Sequence, residues 1–347
     1  MLQIASPAIA SYFNLVYGIL SRFIPQPFLW IASFLIAFVV FLVILAIMFS
    51  IFAYVFGWIE RKIIGRAQSR HGPTYTGPFG FLQNMADLVK LMSKEEIVPD
   101  KADKPLYQMV LPSMVALFVL MLAFLPFTNA FVGIESSLGL LAVFVLLSFS
   151  PIIMFLAGWT SGNKFGSISA QRSVMVLVSY EIPMFIVVAS VAMLAGSMSL
   201  TSIVNAQSGI WYALMMPLGF IVFFIVMLAE MERPPFDLRE ADNELIAGWL
   251  TDISAPYYAL SLFLDYLRMF VGTVIISLLF LGGWLGPAFI PPLAWLITKA
   301  VILSIFIIVV RATMVRMRID RVIRTGWEYL TPLAMLNLLL TFIIFVR

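Results

Sequence analysis

The chain has 347 residues, 62% of them hydrophobic and 11% charged, where ordinary soluble domains are roughly a quarter charged. That composition excludes a soluble globular enzyme and places the chain among polytopic membrane proteins, in which length counts helices rather than domains. The net charge of +3 is small and locally concentrated, so no nucleic-acid partner is expected; with no cysteine and one histidine, His71, no metal site or catalytic redox centre is expected either.

The first residues are moderately apolar, but Met1 has no basic flank and no small-residue cleavage site follows, so a removed signal peptide is not expected. After Pro25 and Pro27, residues 28–56 form an apolar run long enough to cross a hydrocarbon core of about 30 Å at about 1.5 Å per residue. Seven further runs follow, near 109–128, 138–157, 174–195, 213–231, 258–281, 290–311 and 327–346. Each supplies the roughly 20 apolar residues a spanning helix needs. The expected fold is all-α, a single membrane domain over 1–347 with eight transmembrane helices and both termini on one side.

Basic residues orient this bundle. Arg61, Lys62, Arg66, Arg70, Lys90, Lys94, Lys101 and Lys104 fall in the loop 57–108, Lys164 and Arg172 in 158–173, Arg233 and Arg239 in 232–257, and Arg316, Arg318, Arg321 and Arg324 in 312–326, with Arg311 at its edge. Only Arg22, Arg268, Lys299 and Arg347 lie elsewhere. By the positive-inside rule the four loops are cytoplasmic and both termini outside, as expected for a multi-pass protein of a prokaryotic plasma membrane. Within the first loop, Gly72-Pro73 and Gly77-Pro78 signal turns. Phe81, Leu82, Met85, Leu88, Val89 and Met92 then recur at helical spacing, predicting an amphipathic helix at the membrane surface or under a partner.

Charge within apolar runs is costly and marks candidate function. Glu181, Glu230 and Asp265 approach the membrane from the cytoplasmic side, and Lys299 lies within the seventh run. Between Glu230 and Asp252 the chain also carries Glu232, Asp237, Glu240, Asp242 and Glu244 against Arg233 and Arg239. Glu181, Glu230 and Asp265 are expected to line one wet cavity, continuous with this acidic loop, in a proton-conducting or proton-coupled device. The alternative is ion pairs that only fix helix packing, most readily Asp265 with Arg268 at i,i+3.

Several motifs on the cytoplasmic side resemble the quinone-site membrane component of respiratory complex I. They are Glu60-Arg61-Lys62 with Arg66, Gln68, Arg70 and Gly72-Pro73; Ala86-Asp87 with Lys90 and Lys94; Trp159 to Lys164 leading to Ser179-Tyr180-Glu181; Glu230 with Arg233-Pro-Pro-Phe236-Asp237, Glu240 and Glu244; and Arg311-Ala312-Thr313 with Gly326-Trp327. The resemblance implies a chamber for a quinone-like lipophilic electron acceptor, with Arg61, Gln68, Arg70, Phe236 and Asp237 at its membrane end. It also implies a proton path through Glu181, Glu230, Glu240, Glu244, Asp252, Asp265 and Lys299. Iron–sulfur clusters would sit in partner subunits of a peripheral arm, with small and antiporter-like membrane subunits alongside. The sequence departs from the family pattern at Arg239, usually Pro, and at Arg268, usually Asn. Relatives in F(420)H(2) dehydrogenases and membrane-bound hydrogenases share the motifs. Two readings of other classes are a stand-alone proton-coupled transporter, against which the absence of internal repeats speaks, and a membrane anchor for a peripheral arm.

Overall fold

The structure is a computed structural model that describes residues 17–19, 21, 26–129, 131–239, 242–287 and 289–346. Its regular elements are helical throughout these residues. The first, α1 (Gln26–Ala67), is 42 residues long. It buries one stripe, Phe49, Phe52, Phe56 and Glu60, at the spacing of a single helical face. Hydropathy alone predicts a loop from residue 57. Instead the helix continues through Arg61, Lys62 and Arg66, because Ile59 and Ile63 keep the helical period and no proline intervenes before Ser69, where φ is 56°. Charge ends a hydrophobic window without ending a helix.

A short helix, α2 (Gln83–Met92), follows where the amphipathic pattern predicts one. It is held by its polar side. Asn84 Nδ2 donates to the Tyr54 carbonyl at 2.8 Å, Tyr54 Oη to the Phe81 carbonyl at 2.6 Å, and Arg61 pairs with Asp87 at 2.5 Å. Leu82, Met85, Leu88, Val89 and Met92 are left exposed.

The bundle continues with α3 (Lys104–Phe124), α4 (Gly139–Thr160) and α5 (Lys164–Ala195). The tight reversal between α4 and α5 depends on two glycines, since a Cβ on Gly158 would collide with the Gly166 carbonyl oxygen. The Asn163 side chain caps α5 by accepting from the Phe165 amide, and Gly196, with φ of 64°, closes it in the left-handed conformation. This helix starts ten residues before the predicted span, since Ser167, Ser169, Gln171 and Arg172 lower its hydropathy without interrupting it.

Short helices α6 (Leu200–Ala206) and α7 (Tyr212–Met215) precede α8 (Pro217–Glu230). The fifth apolar run, predicted as one span over 213–231, is thus broken at Met216. The following proline disfavours helical backbone at that residue and opens α8 at its first position. A single turn, α9 (Asp242–Leu245), leads to α10 (Ala255–Phe280), which packs against α1, α2, α3 and α8. From Leu267 to Phe280 every residue of α10 is buried, as expected of a helix that is apolar all round. It is the core of the molecule. The chain ends with α11 (Pro292–Thr313), α12 (Ile319–Arg324) and α13 (Thr331–Thr341), the last two joined through a π-helical turn at Thr325–Leu330. That wide turn brings Gly326 so close to the Ser179 carbonyl oxygen that a Cβ would overlap it.

Among the described residues, six helical segments are long and apolar enough to cross a membrane: Lys104–Phe124, Gly139–Thr160, Lys164–Ala195, Ala255–Phe280, Pro292–Thr313 and Ile319–Phe345. Pro217–Glu230 is apolar but shorter.

Candidate functional site

One face of α1 borders three cavities in succession. The first, of about 690 Å³, is an apolar groove between α1, α2 and α10, lined by Ile51, Tyr54, Phe81, Leu88 and Phe263, with Arg61 and Asp87 as its charged groups. Arg61 is shared with the second, a basin of about 820 Å³ that also meets Arg70, His71 and Gln83. Ile64 is shared with that basin and the third, of about 440 Å³, where Gln68, Asp237, Arg311 and Arg316 converge. The order runs from hydrocarbon to charge.

Four of the five predicted chamber residues line these cavities: Arg61, Gln68, Arg70 and Asp237. Arg70 Nε donates to the Gln68 side chain at 2.8 Å, and Arg316 Nη2 lies 3.1 Å from the Asp237 carboxylate. Phe236 is placed differently. It is buried behind the wall, edge-to-face with Tyr180 at 5.1 Å between ring centres. It therefore links residues 232–239 to α5, one residue from Glu181.

Behind the third cavity lies a buried cluster of charge. Glu60 of α1, 3% exposed, accepts from Arg233 Nη1 at 2.9 Å and from Arg311 Nη1. The Arg233 guanidinium lies 5.5 Å from the centre of the Tyr266 ring. Next to this knot is Asp265, whose charged surroundings are Arg233, Arg268, Glu232 and Arg311. Arg268, buried in α10, pairs with Glu232, and so does Arg239. The expected i,i+3 pair of Asp265 with Arg268 is not formed among the described residues, because Glu232 takes the guanidinium instead. Glu230, at the end of α8, lies among Arg239, Arg268, Glu232 and Glu181. Ion pairs thus join Glu60 to Arg233 and Arg311, and Glu232 to Arg239 and Arg268, across elements far apart in sequence, with Asp265, Glu230 and Glu181 in the surrounding field. Buried charges persist when paired or solvated, and the Glu60 and Glu232 carboxylates are paired, whereas Glu230 Oε1 is buried without a hydrogen-bond partner among the described residues.

The remaining predicted residues fall elsewhere. Glu244 pairs with Arg172 at 2.6 Å on an exposed edge. The Asp252 carbonyl accepts from the Tyr107 hydroxyl at 2.8 Å, beside α3 rather than within the cluster. Glu240 lies outside the described residues. Lys299 sits at the opposite end of α10 from the carboxylates. Its ammonium donates to the carbonyls of Leu281, Gly283 and Leu285 at 2.6, 2.8 and 2.8 Å, with the rings of Trp211 and Trp295 centred 5.0 and 5.5 Å away.

Sequence reasoning does not single out Glu60, Glu232, Arg233, Tyr266 or Arg311 as members of the site. Glu60 is hidden by the basic residues beside it, although its place four residues after Phe56 continues the buried stripe. Glu232 and Arg233 read as loop charges because only the fold turns them inward.

Residues 36–342 match the NADH dehydrogenase family. The H component of the NADH-quinone oxidoreductase of Dehalococcoides mccartyi is 40% identical over 310 residues, covering 89% of this chain and 87% of that protein. The protein of the same description from a Geobacillus species is 39% identical over 302 residues, 85% of this chain and 91% of its own length. The H component of the F(420)H(2) dehydrogenase of Methanosarcina acetivorans is 37% identical over 298 residues, 81% and 86% of the two chains.

Proposed function

This chain belongs to the NADH dehydrogenase family, and we propose that, as a membrane component of a complex I-like oxidoreductase, it forms the membrane side of the acceptor chamber and the start of the charged coupling path. The observation that carries this reading is one juxtaposition. The cavity holding Asp237, Arg311 and Arg316 shares Arg311 with the buried Glu60 knot, and the field around the neighbouring Glu230 includes Glu181. A lipophilic acceptor suits the three cavities: its tail the apolar groove, its polar head the basin beyond Arg61. Electron arrival and proton uptake at the head would alter the field at Asp237 and Arg316, and the cluster behind them responds through Arg311.

In this reading the bundle has eight spans, α1 and the shorter α8 joining the six long apolar segments. The chamber and charged cluster face the cytoplasm, and both termini face outward. Peripheral subunits bearing the terminal iron–sulfur cluster cover the basin, where Tyr75 and Phe79 stand exposed; small and antiporter-like membrane subunits receive the path. Relatives named for different electron donors match this chain over similar lengths, so the donor is read by partner subunits.

The test uses the assembled complex in proteoliposomes. Glu181→Gln or Glu230→Gln lowers both acceptor reduction and proton translocation, while the same peripheral subunits still copurify. Normal rates of both processes in an assembled variant would refute the path. Whether flavin and nucleotide-binding, F(420)-oxidising or nickel-site subunits copurify identifies the donor.

A further inference from the structure

Arg239 and Arg268 come from separate elements, and the fold brings both to one carboxylate. Arg268 comes from the middle of α10, with the Phe118 ring centred 5.8 Å from its guanidinium. Arg239 comes from the chamber loop. Its carbonyl accepts from Ser169 Oγ of α5 at 2.8 Å, and a Cβ on Gly248 would overlap that carbonyl oxygen, so its backbone is fixed from two sides. Glu232 receives both guanidinium groups. It does so from a left-handed backbone, φ 56°, which a non-glycine residue adopts only when its surroundings hold it there. One turn further along α10, Gly272 allows the Met231 side chain to pack directly on the helix, bringing this turn against Arg268.

We propose that Arg239, Glu232 and Arg268 form an ion triad of summed charge +1 that sets the charge state of Glu230 and clasps it to the loop carrying Phe236 and Asp237. Glu230 precedes Glu232 by two residues and lies within the field of all three members. The loop 232–239 begins and ends in the triad, and Asp237 within it is paired with Arg316 at the chamber wall. A displacement of Asp237 therefore draws on Arg239 and changes the charge balance at Glu230. The triad acts through Glu230 and touches no acceptor, so its members are positioning residues. The inference rests on Glu230 belonging to the coupling path.

A role in charge differs from a role in packing because charge sums. Glu232→Gln raises the triad to +2, Arg268→Gln lowers it to zero, and the double variant returns it to +1. In proteoliposomes of the assembled complex, protons translocated per acceptor reduced are expected to fall at least twofold in each single variant, since one unit charge at roughly 10 Å in a medium of effective dielectric about 20 changes the protonation equilibrium of Glu230 about tenfold. The double variant is expected to recover most of that loss, on the same estimate. Arg239→Gln also brings the sum to zero from a different element, so it reads the same quantity if Arg268→Gln fails to assemble; Arg268→Lys keeps the charge and the ratio. A double variant no better than the singles, or assembled single variants with a normal ratio, would overturn the proposal. Glu230→Gln is the control. If it leaves translocation intact, the coupling path itself fails; if it abolishes translocation while the triad variants are normal, only the triad fails.

Discussion

Glu60 shows how one side chain joins a cavity wall to the buried cluster of charge. Its carboxylate is shared by guanidinium groups from the acidic loop and from α11, so removing it leaves the buried Arg233 facing Arg311, which is open to the third cavity, with no carboxylate between them. Breaking a buried ion pair by deleting one partner typically costs about 3–5 kcal/mol. Glu60→Ala is therefore expected to lower the thermal unfolding midpoint of the assembled complex substantially, whereas Glu60→Gln, which keeps a hydrogen-bond acceptor, costs less. A midpoint unchanged by Glu60→Ala would show that solvent already screens the knot. The residue is present in the motif Glu60-Arg61-Lys62 but unreadable as a site, since hydropathy weighs a charge without showing which way its helix turns it. Glu181, Glu230 and Asp265 are legible for the opposite reason: an acid inside an apolar run stands out wherever it points. Lys299 stands out equally, yet its three carbonyl bonds tie it to the turn after α10, and nothing local in sequence distinguishes that use from a relay.

At the scale of elements, α2 is the part most open to test. Burial works to raise the Asp87 carboxyl, but the hydrogen bonds from Arg61 and Gln83 and the charges of Arg61 and Lys90 outweigh it and hold the group below its ordinary 3.8. A carboxylate with a depressed value stabilises the fold above the unfolded value, and that contribution is lost as pH falls through the lowered one. A spin label at Met85→Cys is thus expected to keep constant mobility from about pH 8 to about pH 5 and to loosen only below about pH 4. Arg61→Gln should loosen it already at neutral pH; no difference between the two proteins would remove the pair as a tether. The groove under α2 gives a second expectation. Leu88→Trp narrows it and raises KM for a long-tailed acceptor while leaving a short-tailed analogue unaffected. Helix periodicity in 81–92 announces this element, and proline and glycine announce its flanking turns. The break at Met216 is equally legible in Pro217, but a hydropathy window averages across such a break. The orientation of α2, polar side inward, is not legible, because it depends on Tyr54 and Arg61 of another helix.

Over the described residues, apolar helices surround α10, the buried carboxylates and arginines gather at the end where α1, residues 230–239 and α11 meet, and Lys299 lies at the other end. The apolar composition makes the membrane class readable from the sequence, and the basic loops supply an expectation for its sidedness. The assembly of the charged cluster is not readable, since its members are contributed by residues 60, 181, 230–239, 265–268 and 311, which only the packing of five helices brings together. If an event at the chamber is felt by these carboxylates, redox-induced infrared difference spectroscopy of the assembled complex measures it directly. On acceptor reduction a carboxylic C=O band is predicted to change, and that change is predicted to vanish in Glu230→Gln. A difference spectrum without such a band, or with one indifferent to Glu230→Gln, would contradict the coupling of chamber to cluster.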